Sequence, residues 1–180
     1  MLYFLKVYTM NKRIFVQQGN ITDLEIDCVV SPGNQKLLAG GGVCGEIFKK
    51  AGLIEIRKAC YELGYCGIGQ AVITSGFALK AKHIIHTVGP QWQSKNAVTL
   101  LEVCYRNCLL KAEQNDIKSI AFPIISAGSH GFPEEVAAKI AVTSIKKYLK
   151  RHDDSKIEKI VLIANNTKMY NLLKKSLSID

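Results

Sequence analysis

What this chain lacks narrows it first. No apolar run approaches the roughly 20 residues that a membrane-crossing helix requires, which excludes a helical membrane-spanning protein. The opening MLYFLKVYTM has neither a convincing charged start nor a small-residue cleavage site. It reads as a leading strand or peripheral extension over residues 1–12 and not as a secretory leader, so a cytoplasmic location is expected. The six cysteines, Cys28, Cys44, Cys60, Cys66, Cys104 and Cys108, contain no CxxC pair and no zinc-type pairing with the four histidines. No metal is expected, and all six read as reduced thiols. Cys104 and Cys108 lie four apart in a helical pattern, which suits a buried pair of small apolar residues. Missing too are the Gly-Lys-Ser/Thr of a P-loop and a strict GxGxxG dinucleotide pattern. With no internal repeat, low-complexity linker or composition break, residues 1–180 read as one domain.

What is present is ordinary globular material. Apolar residues make up 48% and charged residues 22% of the 180, enough for a substantial core without disulfides or metals. The net charge of +9 gathers late, in Lys146, Lys147, Lys150, Arg151, Lys156, Lys159, Lys168, Lys174 and Lys175. Such a field attracts polyanions, but lysines on a solvated helix face are the simpler account. No aromatics interleave them to stack bases, so nucleic acid is not an expected partner. Short β-like runs at 14–17, 28–30, 71–74, 83–87, 119–123 and 159–163 recur between longer helical segments, the rhythm of an α/β layer fold with a largely parallel sheet. Apolar residues at three- and four-residue steps predict a helix over 97–115, through Val98, Leu101, Tyr105, Cys108 and Ala112. A second follows Pro133, striped by Ala137, Ile140, Ala141, Ser144, Ile145, Tyr148 and Leu149. There Pro133 suits the first helical position and Glu134 and Glu135 complement the dipole. A last helix opens at Thr167 and runs to about Leu177.

In such folds ligands sit beyond the carboxyl ends of the strands. Three loops of that kind stand out. Val29-Val30-Ser31-Pro32-Gly33-Asn34 leads through Leu37-Leu38-Ala39 into Gly40-Gly41-Gly42-Val43-Cys44-Gly45. Adjacent glycines cost conformational entropy and pack nothing, so their use is positive φ or N–H groups facing a ligand, and at a helix start those groups favour phosphate. The second loop, 124–133, enters a helix through two glycines, and the third, 164–167, follows the final strand. Two glycine-rich loops on one sheet edge would grip a diphosphate from both sides; tight turns alone are the competing account.

Taken in order, Gln18-Gly19-Asn20-Ile21-Thr22, the Asn34 and Gly40–Gly42 region, His86-Thr87-Val88-Gly89-Pro90 and the Ser126–Phe132 loop resemble the macrodomain family, the ADP-ribose-binding modules. The resemblance covers nearly the whole chain. It implies a three-layer αβα sandwich around a mixed, mostly parallel six-stranded sheet, with ADP-ribose across the loops named above. It further implies that Asn20, beside Ile21, stands where the family has its adenine-reading acid, with Asp23 the alternative. Of the family's Asn-Ala-Ala-Asn motif only the final amide, Asn34, remains in Ser31-Pro32-Gly33-Asn34, to hold the distal ribose; capping the following turn is its rival role. Gly40, Gly41, Gly42 and Val43 match the first phosphate loop, and Ser126, Ala127, Gly128, Ser129, His130 and Gly131 the second. Phe132 matches the aromatic that packs near the ligand, or else staples the next helix. Asn165 stands where many relatives stack an aromatic on adenine, with Asn166 near the proximal ribose.

The family's hydrolases carry an Asp after Gly-Gly-Gly-Val. This chain has Cys44, resembling viral macrodomains in which Cys or Ala holds that place and ADP-ribosyl hydrolysis is still implied. Cys44 and His130 could form a thiolate pair across the distal ribose, or Cys44 could be a spectator. His83 and His86 read as core residues. The resemblance thus implies binding of ADP-ribose, free or protein-linked, with hydrolysis of mono-ADP-ribosyl esters or of O-acetyl-ADP-ribose through Asn34, Cys44 and His130. A non-catalytic reader of ADP-ribosylated partners or poly(ADP-ribose) is the alternative. No cofactor beyond that ligand is expected.

Overall fold

A computed structural model describes residues 7–11 and 13–179 of the chain. Among the described residues, seven strands form one sheet in the order β1-β2-β7-β6-β3-β5-β4. They are β1 (Val7–Asn11), β2 (Ile14–Gln18), β3 (Cys28–Pro32), β4 (Ala71–Ser75), β5 (His83–Thr87), β6 (Ser119–Phe122) and β7 (Lys159–Ala164). Strands β2, β7, β6, β3 and β5 run parallel, and β4 and β1 pair antiparallel at the two edges. All six expected strands are present within two residues of their predicted ends. β1 is the seventh, the peripheral strand already allowed for within residues 1–12; the rest of that segment lies outside the described residues apart from Val7–Asn11.

Period-two alternation assigns the faces. Cys28 and Val30, Ile160 and Leu162, and Ile120 and Phe122 point to one side, where α3 (Ala97–Glu113), α4 (Glu134–Arg151) and α5 (Thr167–Ser178) cover them. Val29, Val161, Ile163 and Ala121 point to the other, under α1 (Gly42–Ala51) and α2 (Leu53–Leu63). Strands buried on both faces read as continuous apolar runs, which is why Ile160-Val161-Leu162-Ile163 lacks polar alternation. The result is the three-layer αβα arrangement.

Three details differ from the sequence reading. α2 was not anticipated, because only Ile56 and Cys60 of its face are buried while Leu53, Ile54, Tyr61 and Leu63 are exposed; so few buried positions leave no stripe to read. Val98 is exposed and Cys104 takes its place in the α3 stripe. Pro133 is the N-cap of α4, with extended ψ, and Glu134 is the first helical residue. All six cysteines are free and buried, with Cys104 and Cys108 in the α3 core. Among the described residues no helix is long and apolar enough to cross a membrane, and no cluster of three or more His, Cys, Asp or Glu could hold a metal.

His86 sits in the core as expected. Its Nε2 lies 2.9 Å from Thr74 Oγ1, and the ring meets Phe48 edge-on at 6.0 Å. Burial lowers its pKa from 6.5 to about 4, so the folded chain keeps it neutral where the unfolded chain would protonate it. A folded-state pKa below the unfolded one gives stability that is whole above about pH 6.5 and is lost as pH falls towards 4. Urea unfolding followed from pH 7 to pH 4 should therefore lose about 3 kcal/mol through this group, and His86→Gln should flatten that slope. Asp27 does not share the window, since its carboxyl, bonded to Lys82 and Ser119, is held below its ordinary 3.8.

Candidate functional site

The five parallel strands end on one edge of the sheet, and each releases its chain into a loop there. Between these loops lies an open cleft of about 680 Å³. Its first wall is the start of α1. Gly41 caps that helix with no side-chain hydrogen bond, and the first helical bond runs from Gly45 N to Gly41 O at 3.3 Å. The N–H groups of residues 42–44 are thus the unpaired donors every helix start presents, and here Gly42, Val43 and Cys44 face the cleft. The opposing wall is the loop after β6. Gly131 N donates to Gly128 O (2.9 Å) and Phe132 N to Ser126 O (3.1 Å), which curls residues 126–130 so that Ser126, Ala127, Gly128, Ser129 and His130 line the cleft. Ser126 adopts φ +66°, a left-handed conformation rare for a residue with a side chain.

Close backbone approach makes both walls possible. A methyl group on Gly45 would lie 2.3 Å from the Gly40 carbonyl oxygen, so Gly45 lets the glycine loop lie down on α1. A methyl on Gly89, two residues past β5, would lie 2.2 Å from Ser126 Oγ and 2.7 Å from Ile125 Cγ2. Tyr105, buried in α3, then fixes where the second loop leaves the sheet, its hydroxyl accepting from Ile125 N at 3.1 Å. Outside the loop, the Trp92 ring packs edge-on to Phe132 at 4.9 Å while its backbone N–H donates to the His130 carbonyl at 2.8 Å.

At one end the cleft is bounded by Asn20 and Ile21 after β2, by Ile163 of β7, and by Asn165, Asn166 and Met169 at the start of α5. Asn20 caps the short 3₁₀ turn Ile21–Asp23, its Oδ1 accepting from Thr22 N (3.0 Å) and Thr22 Oγ1 (2.9 Å). Asn166 caps α5 by accepting from Met169 N at 2.8 Å. Asp23 is exposed and does not line the cleft.

Four of the expected site residues do not line it. The Asn34 amide is engaged on both sides with Leu38, donating to its carbonyl at 2.8 Å and accepting from its N–H at 3.1 Å. It clamps the turn that delivers the glycine loop, the rival role foreseen for it. Gly40 serves through its contact with Gly45, and Gly131 through its φ of +73°, which closes the second loop. Phe132 is buried in the core under Trp92. Cys44 lines the cleft yet is only 5% exposed, and its Sγ lies 4.0 Å from the Leu38 carbonyl beneath Gly33 and Gly40. His130 lines the same cleft, but among the described residues no hydrogen bond joins the two. Sequence reasoning missed Glu46, Glu134, Gly89, Ile163 and Met169 as lining residues. Glu46 was within reach, one helical turn beyond Gly42 on the same face.

This fold and cleft define a class. The model of the Macro domain family matches residues 30–141, and the chain belongs to that family. It is 45% identical over 148 residues to an O-acetyl-ADP-ribose deacetylase of Salmonella newport, covering 79% of this chain and 83% of that one. It is 43% identical over 153 residues to the ADP-ribose glycohydrolase MACROD2 of Xenopus laevis, covering 83% of this chain and 36% of that longer protein. The Oceanobacillus iheyensis macrodomain with ADP matches the structure with a TM-score of 0.86 at 33% identity, over 96% of this chain and 94% of that one.

The contact at Gly89 is directly testable. Gly89→Ala should cost about 1–3 kcal/mol by overpacking, read as a lower denaturant midpoint. Adding Ser126→Gly, which removes the nearest atom at a left-handed position, should return part of the loss.

Proposed function

We propose that this chain binds ADP-ribose across the cleft and hydrolyses mono-ADP-ribosyl esters on proteins or O-acetyl-ADP-ribose. The supporting observation is the pair of opposed walls whose N–H groups, from residues 42–44 and from the curled 126–130 segment, have no partner among the described residues. Such donors suit a diphosphate, whose charge the α1 dipole also favours. The buried apolar side chains Ile21, Ile163 and Met169 offer a surface for a nucleobase at the end where Asn20 and Asn166 stand. Two relatives bear the names of hydrolases of this chemistry, and related structures hold ADP or ADP-ribose.

For catalysis the protein supplies orientation more than acid-base chemistry. No carboxylate stands at position 44, so the attacking water is placed by the glycine loop and by the ligand's own phosphates. Asn34 contributes by holding the turn at Leu38 in place. The second reading, a reader of ADP-ribosylated proteins or poly(ADP-ribose) without turnover, draws on that same missing acid. Six free, buried thiols support a cytoplasmic setting.

Calorimetry should give micromolar affinity for ADP-ribose, about −8 kcal/mol, and much weaker binding of AMP, which cannot bridge both walls. The lone tryptophan, Trp92, tied to the second loop, should report the same titration by fluorescence. Absence of heat and of any fluorescence change would remove the reading. Turnover of O-acetyl-ADP-ribose by the purified chain separates hydrolase from reader.

Cys44 is a spectator in this account, its thiol turned under the loop. Cys44→Ala should leave affinity and turnover within a few-fold. A variant that binds normally with no measurable turnover would make the thiol a participant and require its pairing with His130.

A further inference from the structure

Asn20 and Glu46 meet at the mouth of the cleft. Both line it, and Asn20 Nδ2 donates to Glu46 Oε2 at 3.2 Å. Because the Asn20 Oδ1 already accepts from the backbone and hydroxyl of Thr22, the amide is locked with its NH₂ towards Glu46. Asn20 therefore has no uncommitted acceptor to offer a ligand. Glu46 does: it is exposed, and among the described residues no cation pairs with it and only one of its oxygens is engaged.

We propose that Glu46, held by Asn20, is the specificity-determining residue for the nucleobase, its free carboxylate oxygen accepting from an exocyclic amine. The inference rests on the ADP-ribose reading above and names the part of the ligand that this end of the cleft selects. Ile21, Ile163 and Met169 supply an apolar surface that any flat base could cover; such a surface does not distinguish one purine from another. A carboxylate on the rim does. It accepts from a 6-amino group and repels the lone pairs of a 6-oxo group, leaving both partners unpaired when the wrong base is bound. Its negative charge works against the ligand's phosphates, so the residue favours one base over another more than it raises affinity overall.

The test compares ADP-ribose with inosine diphosphate ribose, which differs by a 6-oxo group in place of the amine, by calorimetry on the full chain. The native chain should prefer the amino ligand by about tenfold or more. Glu46→Gln, whose amide can both accept and donate, should bind the two within about threefold of each other, the 6-oxo ligand gaining as the 6-amino ligand loses. Unfolding of the variant, with its side chain exposed, should match native. A purely structural role for Glu46 would change both affinities by one factor and leave their ratio alone. Equal affinities in the native chain, or an unchanged ratio in Glu46→Gln, would overturn the assignment while leaving the ADP-ribose reading intact. Failure of both ligands to bind the native chain would defeat the reading and this inference together.

Discussion

Two close approaches made at glycine positions, one to backbone and one to side chains, hold the site in shape. At Gly45 the glycine loop rests on α1 through the Gly40 carbonyl, and at Gly89 the chain two residues past β5 leaves room for Ser126. A side chain at either position would lift one wall from the scaffold beneath it. Everything the cleft offers depends on this, because its donors are main-chain N–H groups whose directions follow from where the backbone runs. Tyr105 and Trp92 brace the second wall from inside and outside, and the Asn34–Leu38 clamp braces the first. On the proposed reading, side chains in the loops are thereby free of the binding task, and Cys44, with its thiol under Gly33 and Gly40, leaves the wall's backbone undisturbed.

The chain's charge lies elsewhere. Among the residues lining the cleft there is no lysine or arginine, and Glu46 and Glu134 are acidic, although the net charge is +9. Lys168 and Lys175 of α5 pair with Glu134 and Glu135 of α4, and Lys156 pairs with Asp116; these surface pairs are worth little individually. An anion in the cleft is met by oriented dipoles and not by mobile cations. Such a site is selective for where the charge sits, because fixed N–H groups reward only a phosphate placed between them.

Much of this was legible beforehand. Strand positions followed from short apolar runs, and the α4 stripe of Ala137, Ile140, Ala141, Ser144, Ile145, Tyr148 and Leu149 is buried as read. Both glycine loops were located because consecutive glycines have few uses other than close approach. α2 was invisible, since a helix with only Ile56 and Cys60 buried carries no periodic signal. Asn34 was read as a ribose ligand or a turn cap, and spacing alone held no means of choosing. The structure shows the turn cap.

The sequence by itself determined an α/β layer fold with a largely parallel sheet, six of the strands, the sheet edge that carries the loops, and which of those loops are glycine-rich. These follow from local chemistry: alternation, helical periodicity and the conformational freedom of glycine. The three-layer order was only what the family resemblance implied. Only the tertiary structure decided how the side chains at that edge are spent. That Asn20 is committed to Thr22 and Glu46, that Cys44 lies under Gly33 and Gly40, and that Phe132 belongs to the core depend on hydrogen bonds and contacts between residues far apart in the chain. A polar side chain has several partners within reach in any sequence, and packing selects among them.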